Sequence, residues 1–368
     1  MKNMMIGENL MKILLPYFAR NNITISDSVV IGGIERFAQL IYQNLDEVIP
    51  LHFTDEDRKM RRVTTKIAAA VNHYRPDVII VNYDNDPLTV RLQSSVKTPI
   101  LWISHTAAGG ISKIGHVQSM NKFLENCGTL AMVSDHQYQG MDKLSLRING
   151  KTLDLNGGFI NSAFSKGDEK VSSDIMYDAV TVGRTDKTKN PFWLHKKVQN
   201  SNIHSLVLTN HVPELLYGEH KEYYEENNHW KYPNETIRGL SHKETMETMS
   251  KSGCYVSTCP VETWGITGLE ALAHGLPTIL VTNSTNTHAS ECIPYSPDHI
   301  VKIKSNAKSE DVVEIIKKLN KISYDQRLEI SEKTKEKHSL DSWKRNLINI
   351  LDKTIENKKN LTNFSWFD

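Results

Sequence analysis

Residues 254–281 read CYVSTCPVETWGITGLEALAHGLPTILV. A β-branched and aromatic run (Tyr255 to Thr258), a proline loop, a helical stretch from Gly265 to Gly275 and a second apolar run (Pro277 to Val281) make one βαβ unit. Glu262 stands on the loop and Glu270 lies eight residues on, inside the helix. Eight helical residues advance about 12 Å and return nearly to the same face, so two carboxylates so spaced can hydrogen-bond two sets of hydroxyls on one elongated ligand. Between them, the N–H groups of Trp264, Gly265 and Ile266 fall at the helix N-terminus, where the first amides have no intrahelical partner and an anion is favoured. A ligand that is rich in hydroxyls and also carries phosphates suits both features, and a nucleotide-sugar is such a ligand.

The composition sets limits on the whole chain. At 368 residues the chain is long enough for two domains of ordinary size. Lys plus Arg (44) balances Asp plus Glu (43), so no global basic field announces nucleic acid or an anionic membrane, and any such contact needs a local patch. Cys127, Cys254, Cys259 and Cys292 lack metal-ligand spacing and read as reduced thiols in or near the core. No apolar run approaches the roughly 18 residues of a membrane span. The opening MKNMMIGENL is too short and polar for a secretory signal, so a cytoplasmic location is expected.

Upstream, apolar runs at Met11–Phe18, Val48–Phe53, Asp77–Tyr83, Pro99–Ser104 and Thr129–Val133 alternate with helical stretches such as Val63–Tyr74. This pattern implies a parallel, doubly wound sheet, whose ligands bind at the carboxyl ends of the strands. Three features fall at those ends. Gly32-Gly33 precedes a helix marked by Ile34, Phe37, Ala38, Ile41 and Leu45; it is either a plain tight turn or a place where backbone approaches a ligand without a Cβ in the way. Asp84 and Asp86 follow the run VIIVNY, and His105 follows PILWIS, where a packed or capping histidine is the simplest reading.

A second alternating series begins with AVTVG (Ala179 to Gly183), continues with HSLVLT (His204 to Thr209) and, beyond the central unit, HIVKI (His299 to Ile303). Ser309 is expected to cap the helix that follows it. Just past Gly183 stand Arg184 and Lys189, ahead of a helix that Pro191 can start. They are either a solvated basic loop or two fixed cations that neutralise a diphosphate and stabilise it as a leaving group. Tyr223, Tyr224, Trp230 and Tyr232 read as locally packed aromatics or an acceptor platform. A last helix carries Trp343, Leu347, Ile350 and Leu351 on one face.

The stretch ETWGITGLEALAHGLPT (262–278) resembles the E-x7-E segment of retaining glycosyltransferases of the GT-B fold, the large group 1 family. The glycine pair at 32–33 and the segment G-R-x4-K at 183–189 resemble further motifs of that family. The resemblance implies two Rossmann-like domains facing a cleft: an acceptor domain (1–170), a nucleotide-sugar domain (171–340), and a C-terminal helix (341–368) crossing back to the first. It also implies roles. Arg184 and Lys189 bind the diphosphate, with Lys187 a rival for the second place. Glu270 takes the ribose hydroxyls, and Glu262 with the Trp264–Ile266 amides holds the sugar. Gly239 and Leu240 meet the nucleobase, while Gly33 and His105 close on the donor from the first domain. Two departures stand out: Asn190 where the family usually has glycine, and TNSTNTHASECI (282–293) without the usual Gly-Gly turn, leaving Glu291 as the counterpart of its glutamate.

The Asp84-Asn85-Asp86 triplet matches the metal-gripping signature of the other large glycosyltransferase fold, but here acceptor contact by Asp84 or Asp86 is the preferred functional role. No metal or other cofactor is expected, since two side-chain cations do that work. The compact, Asn- and Lys-rich chain is also similar to phage enzymes that glycosylate 5-hydroxymethylcytosine in double-stranded DNA, which would place it in the host cytoplasm. Its best basic surface for DNA is Arg58, Lys59, Arg61, Arg62 and Lys66. The alternatives are an enzyme that builds a cell-surface glycan or glycolipid, and a sugar-nucleotide binding protein without turnover.

Overall fold

A computed structural model describes residues 10–18, 33–53, 57, 62–82, 86–105, 114–160, 165–209, 219–227, 229–230, 233–259, 265–282 and 299–362. The chain divides into two compact units, residues 1–162 with 341–368 and residues 163–340. In the first, β1 (Ile13–Phe18), α1 (Gly33–Asn44), β2 (Val48–Phe53), α2 (Val63–Tyr74), β3 (Val78–Val81), α3 (Asp86–Ser95), β4 (Ile100–Ser104), α4 (Ile114–Glu125), β5 (Thr129–Met132), α5 (Asp135–Asn149) and β6 (Gly158–Phe159) follow one another. The second holds β7 (Tyr177–Val182), α6 (Trp193–Val198), β8 (Ser205–Thr209), α7 (Glu219–Asn227), β9 (Asn234–Arg238), α8 (His242–Ser250), β10 (Ser252–Ser257), α9 (Ile266–Ala273), β11 (Thr278–Thr282), β12 (Ile300–Lys304), α10 (Ser309–Leu319) and α11 (Tyr324–Lys337). Then α12 (Leu340–Thr362) returns to the first unit.

Both sheets have six strands, and every pairing in them is parallel. Parallel sheets are covered by helices on both faces, so their strands are apolar on both sides. In the second unit Ala179, Cys254, Val256, Ile279 and Val281 pack with Trp193, Val312 and Ile316 of α6 and α10. Their neighbours Val180 and Tyr255 point the other way, onto Met249 and Ala271 of α8 and α9. This is the period-two alternation of a strand feeding two cores. The first unit has a core in which Leu14, Ile79, Val81, Trp102, Leu130 and Met132 meet Ile67 of α2 and Val117, Met120 and Phe123 of α4.

Strand order carries the functional information. In the second sheet it is β12-β11-β10-β7-β8-β9, so the chain builds outward from β7, then returns to lay β10 on its other flank. The loops that leave β7 and β10 therefore diverge, opening a crevice at the carboxyl ends of these two strands. In the first sheet, order β2-β1-β3-β4-β5-β6, the equivalent reversal lies between β1 and β3.

Three details depart from the sequence expectations. The break between the units falls at 162/163, not near 170, because Ser165 to Lys170 fold against the second unit. Ser165 pairs with Ser339, and the Lys170 carbonyl accepts from the His274 ring. Ser309 is the first helical residue of α10; the N-cap position belongs to Lys308, whose backbone is extended and whose side chain caps nothing. The last clear helix anticipated by its apolar stripe is preceded by α11, a polar helix with no such stripe. The final helix, α12, sets Trp343 edge-on to Phe37 of α1, donates from Asn346 to the Phe159 carbonyl at 2.8 Å, and buries Leu347, Ile350 and Leu351. Each of those aliphatic side chains contributes roughly 1.5–3 kcal/mol.

Candidate functional site

The loop leaving β7 turns back on itself at once. A Cβ placed on Gly183 would lie 3.5 Å from the Lys189 Cβ, so Lys189 returns to the strand end from which Arg184 departs. One side chain organises the turn. Asp186, only 3% exposed, accepts the Lys189 N–H on Oδ1 at 2.7 Å and holds Arg184 Nε 3.0 Å from Oδ2. Thr185 turns inward, its Oγ1 3.1 Å from Thr209 Oγ1 at the end of β8, while the Arg184 side chain stays 47% exposed. The neighbouring strand end joins in: Thr258, just past β10, donates to the Lys189 carbonyl at 2.8 Å. The two residues thus leave the backbone at the same strand end, and their loop is tied to both strands that flank the reversal.

Asn190 closes the loop at φ 42°, inside the left-handed region. Asn is among the few residues other than glycine that enter this region readily, which accounts for an asparagine at a place where the family resemblance expects glycine. Its Oδ1 accepts from the Tyr223 hydroxyl at 2.8 Å. Burial pushes the Tyr223 phenol up from its ordinary value and keeps it a donor. Tyr223 and Tyr224 are buried, the latter under the Arg238 guanidinium at 4.8 Å, so these aromatics pack locally instead of forming an open platform.

Across the crevice, Gly265 occupies the N-cap of α9 at φ 69°, a conformation glycine enters at no steric cost, and no side chain caps the helix there. Glu270 sits one turn further on, its Oε1 3.3 Å from His242 Nε2 at the first turn of α8. That helix is fixed by a full capping box, Ser241 with Glu244. Just before it, Gly239 donates its N–H to the Thr209 carbonyl, and Leu240 is half-buried against the core. Arg184, Lys189, Glu270, Ile266 and Gly239 all lie at the carboxyl edge of one sheet. Glu262 and Trp264 lie outside the described residues, as do Glu291, Cys292 and Tyr232.

In the first unit, His105 follows β4 and bonds through Nε2 to Oδ1 of Asn82, the residue after β3; its ring stands 5.2 Å from that of Phe37. Beneath it, Ser104 is held by the His116 ring and by Gln137, whose amide donates to the Ser104 carbonyl at 3.1 Å. Gly33 begins α1, whereas Gly32 and Asp84 lie outside the described residues. Asp86 begins α3, and only its backbone is described. Of the basic cluster, Arg62 is exposed and Lys66 is engaged by Asp57; Arg58, Lys59 and Arg61 are outside the described residues. Among the described residues no three His, Cys, Asp or Glu side chains group as metal ligands, and no helix is long and apolar enough to cross a membrane. Cys127 and Cys254 are free thiols.

Sequence reasoning did not single out Asp186, Asn82, Thr258 or His242. An acidic residue among lysines reads as solvated, and only its burial marks Asp186. His242 had a usable signal, since it stands at the first helical position beside Gly239-Leu240.

No family model and no curated protein matches the sequence. Solved structures do resemble the fold. An α,α-trehalose-phosphate synthase (UDP-forming) from Burkholderia vietnamiensis aligns over 94% of this chain and 98% of its own, with a TM-score of 0.68 at 10% identity. The sucrose-phosphate synthase of Thermosynechococcus elongatus gives 0.64 at 12% identity over 95% and 94%. An S. aureus TarM variant in complex with fondaparinux, alpha-GlcNAc-glycerol and UDP gives 0.58 at 12% identity over 78% of this chain, which spans 58% of the TarM chain. With two parallel six-stranded sheets, the fold is α/β of the GT-B type.

Proposed function

We propose that this chain is a glycosyltransferase that takes a sugar from a nucleotide-diphosphate donor and passes it, with retention of anomeric configuration, to a hydroxyl acceptor. The observation that carries the reading is the pairing of Arg184 and Lys189 on one loop at the β7/β10 strand reversal of the second sheet. Two fixed cations at that place suit a diphosphate, and Glu270 on the facing helix suits ribose hydroxyls. UDP is the first nucleotide to test, since a neighbour of the same fold is UDP-forming.

In this reading the bond from the sugar C1 to the diphosphate oxygen breaks while the acceptor oxygen bonds C1 on the same face. The acceptor proton passes to the departing phosphate. The protein supplies no nucleophile; it positions the partners and stabilises charge as it develops on the leaving group. Arg184→Ala and Lys189→Ala should each lower kcat by about 10²-fold, a barrier change of about 2.7 kcal/mol. Unchanged kcat in the double variant, with activity abolished by a chelator, would overturn the role given to the two cations and the absence of a metal.

For the acceptor, the hydroxymethyl group of 5-hydroxymethylcytosine in DNA is the first choice and rests on the sequence resemblance. Its test is a mass gain on hydroxymethylated DNA offered with a panel of UDP-sugars. Transfer to a glycan or lipid acceptor alone would replace it with the glycan-building alternative. Donor hydrolysis without acceptor would exclude a binding protein that does not turn over.

A further inference from the structure

We propose that Asp186 is a positioning residue that presets Arg184 and Lys189 for the diphosphate of the donor. The proposal rests on the donor site described above and names what holds its cations. A carboxylate is an unexpected neighbour for a diphosphate, because its charge opposes the ligand's. Asp186 is nonetheless almost fully buried in the turn, among Arg184, Lys187 and Lys189. It takes the Lys189 N–H on one oxygen and faces Arg184 Nε with the other.

The geometry divides the work of the guanidinium. The 3.0 Å charge contact at Nε, made without a hydrogen bond to Oδ2, biases the direction of a half-exposed arginine, and among the described residues the two terminal nitrogens of Arg184 have no protein partner. Those nitrogens present paired N–H groups suited to phosphate oxygens. A free arginine would have to be ordered on binding; a tethered one has already lost that freedom, so more of its interaction is available when charge grows on the leaving phosphate. The same carboxylate, through the Lys189 amide, sets where the second cation leaves the backbone. Asn190, held by Tyr223, fixes the exit of the turn.

Asp186→Asn keeps the shape and the Oδ1 acceptor for the Lys189 N–H while removing the charge that holds Arg184. Two opposed effects follow. Loss of a negative charge favours donor binding, whereas loss of preset direction weakens transition-state stabilisation. The expected result is a kcat about tenfold lower, a donor KM within about twofold of wild type, and an unchanged melting temperature. A purely structural role would move the melting temperature and would not split kcat from KM.

The decisive form is a double-mutant cycle with Arg184→Ala, read on kcat and, by calorimetry, on UDP affinity. Arg184→Ala alone should weaken UDP binding at least tenfold, and adding Asp186→Asn to it should cost nothing more. If Asp186→Asn costs the same factor with and without Arg184, the positioning role falls while the donor site stands. If Arg184→Ala leaves UDP affinity and kcat at wild-type values, both fall. Should Asp186→Asn fail to fold, Arg184→Lys replaces it, since an ammonium is one point charge without the planar fork that lets Nε face Asp186 while two other nitrogens present paired N–H groups to a phosphate. Its kcat should then drop close to that of Arg184→Ala, and wild-type turnover by Arg184→Lys would overturn the proposal.

Discussion

Asn190 shows how much a single side chain decides in the cation loop. Its φ of 42° costs an ordinary residue about 1–2 kcal/mol, and its amide gains a hydrogen bond from Tyr223 worth roughly 0.5–1.5 kcal/mol. Asn190→Gly should therefore keep kcat within a few-fold and lose only the bond. Asn190→Val should lose about 1–2 kcal/mol in a denaturant melt and lower kcat as the turn distorts. Equal stability and turnover in the two variants would show that the left-handed turn does not matter. That Arg184 and Lys189 share a loop past a strand end was legible in the sequence, because they follow an apolar strand and precede a helix-starting proline; the diphosphate proposed for them rested on the family resemblance. Asp186 was not, because a carboxylate's value in such a loop depends on burial and on an atom-level contact with Arg184, neither of which leaves a trace in residue type. Likewise, only the backbone angle shows why asparagine suffices at 190.

At the level of elements, strands with alternating or continuous apolar residues were readable, whereas β9 (NETIR) was not, being a half-buried edge strand with little apolar character. α11 escaped for a related reason: its buried face carries Arg327, whose guanidinium donates to the carbonyls of Ser250, Ser252 and Gly275 where α8 and α9 end. A buried cation that satisfies helix C-termini looks, in sequence, like one more solvated charge. Buried histidines make a measurable counterpart. His195 of α6, held by Ser205 of β8, has its pKa lowered to about 4 by burial; His338, just past α11, is lowered to about 4 by burial and then by Lys337. Below pH 6.5 the unfolded chain takes up these protons and the native fold does not, so stability falls as pH drops from about 6.5 to about 4, and the contribution is complete above 6.5. Each site accounts for about 3 kcal/mol over that window. Urea melts at pH 7 and pH 4.5 should show the fall, and His195→Gln should reduce it. A wild-type fall matched in full by His195→Gln would contradict the assignment for that residue.

On the scale of the whole molecule, the two parallel sheets followed from strands alternating with helices, and the place proposed for the donor rests on strand order, which puts the reversal of the second sheet at β7 and β10. The break at 162/163 was less visible, since the polar, glycine-containing linker resembles a boundary along its whole length while its contacts assign residues 165–170 to the second unit. In the proposed function a nucleotide diphosphate binds at the carboxyl edge of the second sheet. Hydrogen exchange of the intact chain with and without UDP tests it most directly. Slowed exchange is predicted at residues 183–190, 239–242 and 265–270, with no slowing at the opposite, amino edge around 175–177 and 251–253; protection confined to the amino edge or to the first sheet would contradict it.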